Sequence, residues 1–291
     1  MLTAQFIDGR TRLVGLLGWP VAHSLSPAIH NHAFRSLKLP FVYVPLGVPP
    51  EKLAGAVAAL RTLGFAGANV TIPHKQAAAA LCDELSATAR LTGSVNTLCF
   101  DNGRLTGTTT DPDGFLRALA WMRHEPRGGR IVVLGNGGVA RAIGFALAQE
   151  RIPASLVFIG RDRQRVSRLA EEITGATGYA AGWAVCDTSD AKRALDDCTL
   201  LVNCTSVGMH PHTGRSPVPA GVLRAGMTVF DTIYNPACTT LLSDARAAGC
   251  IIQNGLRMLL YQALASFKLW TGVDAPENLF DLGELQALVE A

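Results

Sequence analysis

The chemistry most legible in this chain is the holding of phosphate by backbone. Gly135-Asn136-Gly137-Gly138-Val139-Ala140 follows the apolar run Ile131-Val-Val-Leu134 and opens a segment with helical spacing, Val139 to Gln149. A G-x-G-x-x-G/A pattern between strand and helix is the fingerprint of a dinucleotide site. Gly135 permits the tight turn, Gly137 lets a pyrophosphate approach the backbone, and Ala140 lets the helix pack on the strand. The helix start adds N–H donors and a partial positive charge. The pattern alone also fits a glycine turn in a nucleotide-free domain, but the strand before it and the second strand after it, Ser155 to Ile159, favour the βαβ reading.

The end of that second strand bears on which dinucleotide is bound. NAD sites usually carry an acidic residue there for the ribose hydroxyls. This chain has Gly160-Arg161-Asp162-Arg163-Gln164-Arg165. Arg161 and Arg165 are suited to clamp a 2′-phosphate, because guanidinium matches phosphate oxygens in pairs. The same arginines also suit a solvated basic helix start, and Asp162 suits either repulsion of a phosphate or binding of a hydroxyl. NADP is the favoured cofactor and NAD the alternative.

These residues need a frame. Short β-branched runs alternate with longer helical ones, which implies an α/β fold with parallel strands. Early strands are read at Leu13–Leu17 and Phe41–Pro45, with a helix between them for which Ser26 is the expected N-cap and Pro27 the first turn. Helices are expected over Glu51–Leu63 and Gln76–Thr92, a short strand over Gly67–Pro73, and strands at Asn96–Phe100 and Arg104–Thr106 around the turn at Asn102-Gly103. The character changes near Thr110. A helix is expected over Asp111–His124, then a breaker cluster from Glu125 to Gly129, then the nucleotide-type unit. Its later parts are a helix over Arg163–Ile173 and strands at Leu200–Asn203 and Met227–Asp231. The segment Leu256–Trp270 has helical apolar spacing. Two domains are expected, 1–111 and 112–253, with the 254–291 helices able to pack on either.

Composition excludes several classes of protein. The chain has 291 residues, 48% hydrophobic and 17% charged, enough to bury sizeable cores. The net charge of +3 is dispersed, with no Lys/Arg run of the kind a nucleic-acid surface needs. Seven Cys and seven His occur without C-x-x-C or metal-ligand spacing, so no metal is expected and the thiols read as reduced. The N-terminal residues Met1 to Asp8 lack a basic segment followed by an apolar one, and no apolar run approaches ~20 residues, so a cytoplasmic protein with no membrane partner is expected.

Beyond these patterns, the chain resembles a family. Gly18-Trp-Pro-Val-Ala-His-Ser-Leu-Ser-Pro-Ala-Ile-His-Asn31 is similar to the opening substrate motif of shikimate dehydrogenases, and Gly67-Ala-Asn-Val-Thr-Ile-Pro-His-Lys75 to their catalytic-lysine strand. Ser94-Val-Asn96-Thr97, Thr110-Asp111, Ile233-Tyr-Asn-Pro236, Asn254 to Gln262 and Leu269-Trp-Thr-Gly272 resemble the family's later motifs, in the same order. The resemblance implies a Rossmann-type dinucleotide domain and an N-terminal α/β substrate domain closed by the C-terminal helices, with the active site in the cleft between them. It implies reversible reduction of 3-dehydroshikimate to shikimate, or the parallel quinate or aminoshikimate-type reaction. By position, Lys75 and Asp111 correspond to the catalytic pair. Ser24, Ser26, Thr71, Asn96, Tyr234 and Gln262 correspond to substrate contacts, and Gly255 would lie near the nicotinamide. A secondary alcohol that gives up hydride must also lose its hydroxyl proton, and an amine with a carboxylate can shuttle it; the resemblance does not say which of the two is the base. Thr109, Gly160, Asp162, Arg257 and Ala263 depart from the usual pattern, and Arg257, if it faces the cleft, adds charge near the nicotinamide or the substrate carboxylate. The competing readings are an NAD-using quinate-type paralogue and a non-catalytic dinucleotide-binding module. A monomer or a homodimer fits equally.

Overall fold

The computed structural model describes residues 7–122, 128–150 and 152–290. The expected helix end at His124, the breaker residues Glu125 to Arg127 and residues 1–6 of the N-terminal segment lie outside them. By contacts the chain forms two compact units, one of residues up to Thr110 together with Leu260–Leu285, the other of Asp111–Leu259 with the last residues from Gln286 on.

In unit one the strands are β1 (Arg12–Gly18), β2 (Phe41–Gly47), β3 (Gly67–Val70), β4 (Glu84–Leu85), β5 (Thr97–Asp101) and β6 (Arg104–Thr108), arranged in the order β2-β1-β3-β5-β6-β4. β2, β1 and β3 run parallel, and β5 is antiparallel to β3 and to β6. The β5–β6 hairpin turns on Asn102 and Gly103, both at positive φ (48° and 77°), as the Asn-Gly pair demands. Helix α1 (Ser26–Ser36) follows β1, and α2 (Leu53–Thr62) follows β2 after a short 3₁₀ turn at Pro50–Lys52.

Two local expectations fail here. Ser26 is the first helical residue and Leu25 the N-cap, with no side-chain cap; the Ser24 hydroxyl accepts from the Ser26 N–H at 3.2 Å. The single helix expected over 76–92 is two, α3 (Lys75–Ala79) and α4 (Ala87–Thr92), with β4 between them. Tertiary pairing breaks it. β4 pairs with β6, the Asp83 carboxylate accepts from the Leu105 N–H at 2.7 Å, and the Ser86 hydroxyl caps α4 by accepting from Ala89 at 3.1 Å.

Unit two contains α5 (Asp111–Trp121), β7 (Arg130–Leu134), α6 (Gly138–Gln149), β8 (Ser155–Gly160), α7 (Arg163–Thr177), β9 (Ala181–Val185), α8 (Ser189–Asp196), β10 (Leu200–Asn203), β11 (Thr228–Asp231), α9 (Thr240–Ala247) and β12 (Ile251–Gln253). Its strands are all parallel, in the order β12-β11-β10-β7-β8-β9. That is the doubly wound Rossmann order, whose direction reverses between β7 and β10. Buried on both faces, Ile131, Val132 and Val133 carry the continuous apolar run that such strands need.

Helix α10 (Leu256–Thr271) supplies unit one with residues from Leu260 onward, and α11 (Leu282–Glu290) ends the chain. Trp270 donates through its indole N–H to the Leu98 carbonyl at 3.0 Å and lies over Gly67, where a Cβ would come within 2.2 Å of the indole nitrogen. Only glycine at 67 lets the helix seat there. Beside it His30, fully buried, stacks on Tyr43 with centroids 4.5 Å apart and tilts against Trp270 at 5.2 Å.

Burial pushes His30 down to about 3, against a smaller opposing contribution from Asn69. The unfolded chain therefore takes up a proton below its ordinary 6.5 that the folded chain refuses, and stability falls as pH drops from 6.5 toward 3. The native state is expected to lose about 2 kcal/mol from this residue between pH 7 and pH 5. Urea denaturation at both values should show His30→Phe losing correspondingly less than the wild type; parallel losses in the two proteins would exonerate His30.

Candidate active site

The dinucleotide turn is shaped by its neighbours. Gly135 sits at φ +107°, and a Cβ there would meet the Cys204 carbonyl oxygen at 3.2 Å and the Thr205 methyl at 3.3 Å. The turn after β7 thus lies against the loop after β10, the two edges of the switch point. Gly137, the N-cap of α6, has no side-chain cap, and a Cβ there would meet nothing within 4 Å. Its backbone faces open space, which is what an approaching pyrophosphate requires. Gly138 and Val139 begin the helix half-buried, and Ala140 is fully buried on the sheet. The Asn136 amide reaches toward Gly160, where a Cβ would stand 3.5 Å from its nitrogen.

At the end of β8, Arg161 and Arg165 are exposed. Asp162 is occupied locally. Its side chain caps α7 by accepting from the Arg165 N–H at 3.1 Å, and it pairs with the Arg165 guanidinium at 3.4 Å. A carboxylate spent this way is a helix cap first, which weakens the case for it as a ribose ligand.

Unit one gathers the polar residues expected to meet substrate. Asn96, 2% exposed, donates to the Thr110 hydroxyl at 2.9 Å and to the Gln262 side-chain oxygen at 3.2 Å, and its own oxygen accepts from the Thr110 N–H at 2.9 Å and the Thr97 hydroxyl at 2.8 Å. Ser266 joins the set, 2.8 Å from the Thr97 hydroxyl and accepting from Asn69 at 3.1 Å. Asn96 and Gln262 are therefore brought together, 166 residues apart in sequence, and their amides are oriented by bonds that leave little rotational freedom.

Thr71 lies at the end of β3, its methyl packed where only Gly18 leaves room: a Cβ at 18 would fall 2.3 Å from it. Lys75, half-buried, opens α3 directly after buried His74. That turn is pinned by the His74 ring, 2.7 Å from the Val48 carbonyl through Nε2, and by the Val95 N–H on the Lys75 carbonyl at 2.9 Å. Ser24 and Ser26 stand together at the start of α1.

Unit two carries the remaining residues. Asp111, 3% exposed, opens α5, and Phe115 one turn on packs edge-on against Phe230 of β11 at 5.1 Å. Tyr234 is half-buried in the loop after β11, and its carbonyl accepts from Gln286 at 3.4 Å. Gly255 is buried, and a Cβ there would fall 2.1 Å from the Thr232 carbonyl oxygen. Arg257 lies with its guanidinium over the Trp121 ring, 3.6 Å from the centroid. Its guanidinium thus packs on the last residue of α5, a cation–π contact that sequence spacing does not reveal.

The sequence reading also missed Asp231. It is fully buried and accepts from Asn203 and the Ile233 N–H at 3.0 and 3.1 Å and from the Thr239 hydroxyl at 2.7 Å. Burial pushes its carboxyl up to about 6, with those hydrogen bonds pulling the other way. Its only sequence signal was its place as the final residue of a strand read for its apolar run.

Fold and site together define a dinucleotide-binding α/β protein with a second, polar-lined unit. Residues 16–98 match the family described as shikimate dehydrogenase substrate binding domain, and residues 255–280 match the shikimate 5′-dehydrogenase C-terminal domain. A shikimate dehydrogenase (NADP+) of Methanopyrus kandleri is 46% identical over 290 residues, 99% of this chain and 100% of that one. A crystal structure of a shikimate dehydrogenase in complex with NADP+ superposes with TM-score 0.88 at 35% identity, covering 98% of this chain and 96% of the other. Shikimate 5-dehydrogenase from Thermus thermophilus, in complex with NADP(H) and shikimate, gives 0.84 at 35% identity over 96% and 99%. The chain belongs to the shikimate dehydrogenase family.

The contact at Gly255 yields a test. Gly255→Ala forces the Thr232 backbone aside and should destabilise unit two by about 1–3 kcal/mol. Thermal melts should show a lower Tm; an unchanged Tm would mean that the loop after β11 yields freely.

Proposed function

We propose that the protein catalyses the reversible, NADPH-dependent reduction of 3-dehydroshikimate to shikimate, with Lys75 and Asp111 handling the proton. The observation that carries this is the near full-length match at 46% identity to an NADP+ shikimate dehydrogenase of Methanopyrus kandleri; the roles assigned to individual residues are this proposal's own.

The residues fit the cofactor. Open space at Gly137 and the start of α6 suit a pyrophosphate, and exposed Arg161 and Arg165 suit a 2′-phosphate. When bound, the dinucleotide supplies or accepts the hydride. The chain's own residues do the rest. Ser24 and Ser26, at the N-terminal end of α1, offer hydroxyl donors and a positive helix end to the substrate carboxylate. Thr71, Gln262 and Tyr234 offer partners to its hydroxyls, and Asn96, bonded to Thr110 and Gln262, joins them by exchanging one of those bonds for the substrate. Lys75 and Asp111 between them hold the proton that reaches the carbonyl oxygen as hydride arrives at carbon, and in the oxidative direction take it back from the hydroxyl. Asp111 is the carboxylate partner in that transfer. We place the reaction in the cytoplasm, by a monomer or a homodimer; all seven cysteines are free thiols, which fits a reducing compartment.

A spectrophotometric panel of shikimate and quinate against NADP+ and NAD+ tests the assignment, and shikimate with NADP+ should give the highest kcat/KM. A quinate or NAD+ maximum would make the protein a paralogue of different specificity, and turnover of neither acid would leave a binding module. In the same assay Lys75→Ala should cut kcat by ~10²–10⁴ with cofactor affinity retained; an unchanged rate would remove Lys75 from the mechanism. Arg161→Ala should raise KM for NADP+ far more than for NAD+, and equal losses would end its role at the 2′-phosphate.

A further inference from the structure

Asp231 has no place in the chemistry just described, yet its buried carboxylate joins segments that line the dinucleotide side of unit two. Through Asn203 it reaches the loop after β10: the Asn203 amide donates to it at 3.0 Å, while the same side chain's oxygen accepts from the Thr205 N–H at 3.0 Å and the Thr205 hydroxyl at 2.8 Å. Thr205 then accepts from the Val207 N–H at 3.2 Å. This is the loop whose Cys204 carbonyl and Thr205 methyl abut Gly135. On its other side the carboxylate holds the Ile233 N–H, and the Ile233 carbonyl in turn accepts from the Gly255 N–H at 3.0 Å. Its second oxygen takes the Thr239 hydroxyl, the N-cap of α9. One charge thus sets the loop carrying Tyr234, the backbone at Gly255 and the floor beneath Gly135.

We propose that Asp231 is a positioning residue for the nicotinamide half of the bound dinucleotide, fixing the 203–207 and 232–239 loops at the mouth of the β7–β10 crevice while leaving the adenosine half untouched. This rests on the NADP reading of the site. Three donors converge on an oxygen pair that solvent does not reach, an arrangement that costs burial of a charge. What the carboxylate gives in return is simultaneous acceptance from the end of β10 and from two points of the loop after β11. With its carboxyl at about 6, the group is ionised, and a full acceptor, at neutral and alkaline pH. The adenosine-side residues Arg161 and Arg165 lie beyond β8, and none of the bonds above reaches them.

The test compares two ligands on one protein. Calorimetric titration at pH 8 with NADP+ and with adenosine 2′,5′-bisphosphate, which lacks the nicotinamide half, is run on the wild type and on Asp231→Asn. The variant should fold, judged by far-UV circular dichroism, and bind NADP+ about tenfold more weakly while holding the bisphosphate as the wild type does. Equal NADP+ affinity in both proteins, or a parallel loss of both ligands, overturns the proposal. A wild type that binds neither ligand overturns the functional reading and this one with it, so the two failures are distinct. Should Asp231→Asn not fold, Thr239→Val removes the donor to the second oxygen and is read by the same criteria, and Thr239→Ser, which keeps the hydroxyl, must restore NADP+ affinity.

Discussion

Everything on the dinucleotide side follows from the close approach of Gly135 to the backbone of Cys204 and Thr205. Parallel strands that diverge from β7 leave a crevice where their order reverses, and the first turns on either side must share it. A side chain at 135 would wedge that crevice open, since its Cβ would sit 3.2 Å from the Cys204 carbonyl in a backbone conformation that only glycine adopts readily. The loops then need something to hold them together from behind, and the Asn203–Asp231 pair, in register at the ends of β10 and β11, does so. The Cys204 thiol, pushed up chiefly by burial and further by the Asp231 and Asp111 carboxylates, marks how close Asp111 at the start of α5 comes to this same ground.

Unit one solves a different problem. A polyhydroxylated acid demands many hydrogen-bonding groups, and each must be aimed before the ligand arrives, because an amide that swings freely costs ordering entropy on binding. In unit one the Asn96, Thr97, Thr110, Gln262 and Ser266 side chains are held by bonds to one another. This network draws on β5, the end of the first unit's chain and α10, so neither the N-terminal segment nor the C-terminal helix holds a complete set alone.

How much of this was legible in the sequence depends on the range of the forces involved. The Gly135–Ala140 turn, β7, β8 and the Asn102-Gly103 hairpin were readable because local conformation alone selects their residues. The Lys75 and Asn96 motifs were readable only through likeness to a family. The helix expected across 76–92 failed because Asp83 and Ser86 answer to β6, 22 residues away, rather than to helical spacing. β9, whose Ala181-Gly-Trp-Ala-Val185 run shows no alternation, and the three-residue β12 escaped notice because sheet partners, not propensity, make them strands. Asp231 and the Arg257–Trp121 contact were invisible for the same reason: a side chain's partner across the fold leaves no mark on its neighbours in the chain.

The seating of Trp270 over Gly67 bears on how the protein is born. A ribosome delivers the first 110 residues early, but the helix that covers Gly67, His30 and the Asn69–Thr97 bonds emerges only after all six strands of the nucleotide unit have been made. The leading unit must wait with its aromatic cluster uncapped while the middle of the chain, whose parallel strands are nearly all contiguous in sequence, completes itself. The leading unit is therefore the last to be covered, and a nascent chain stalled short of Trp270 holds every strand of the nucleotide unit while the face over Gly67 stays open.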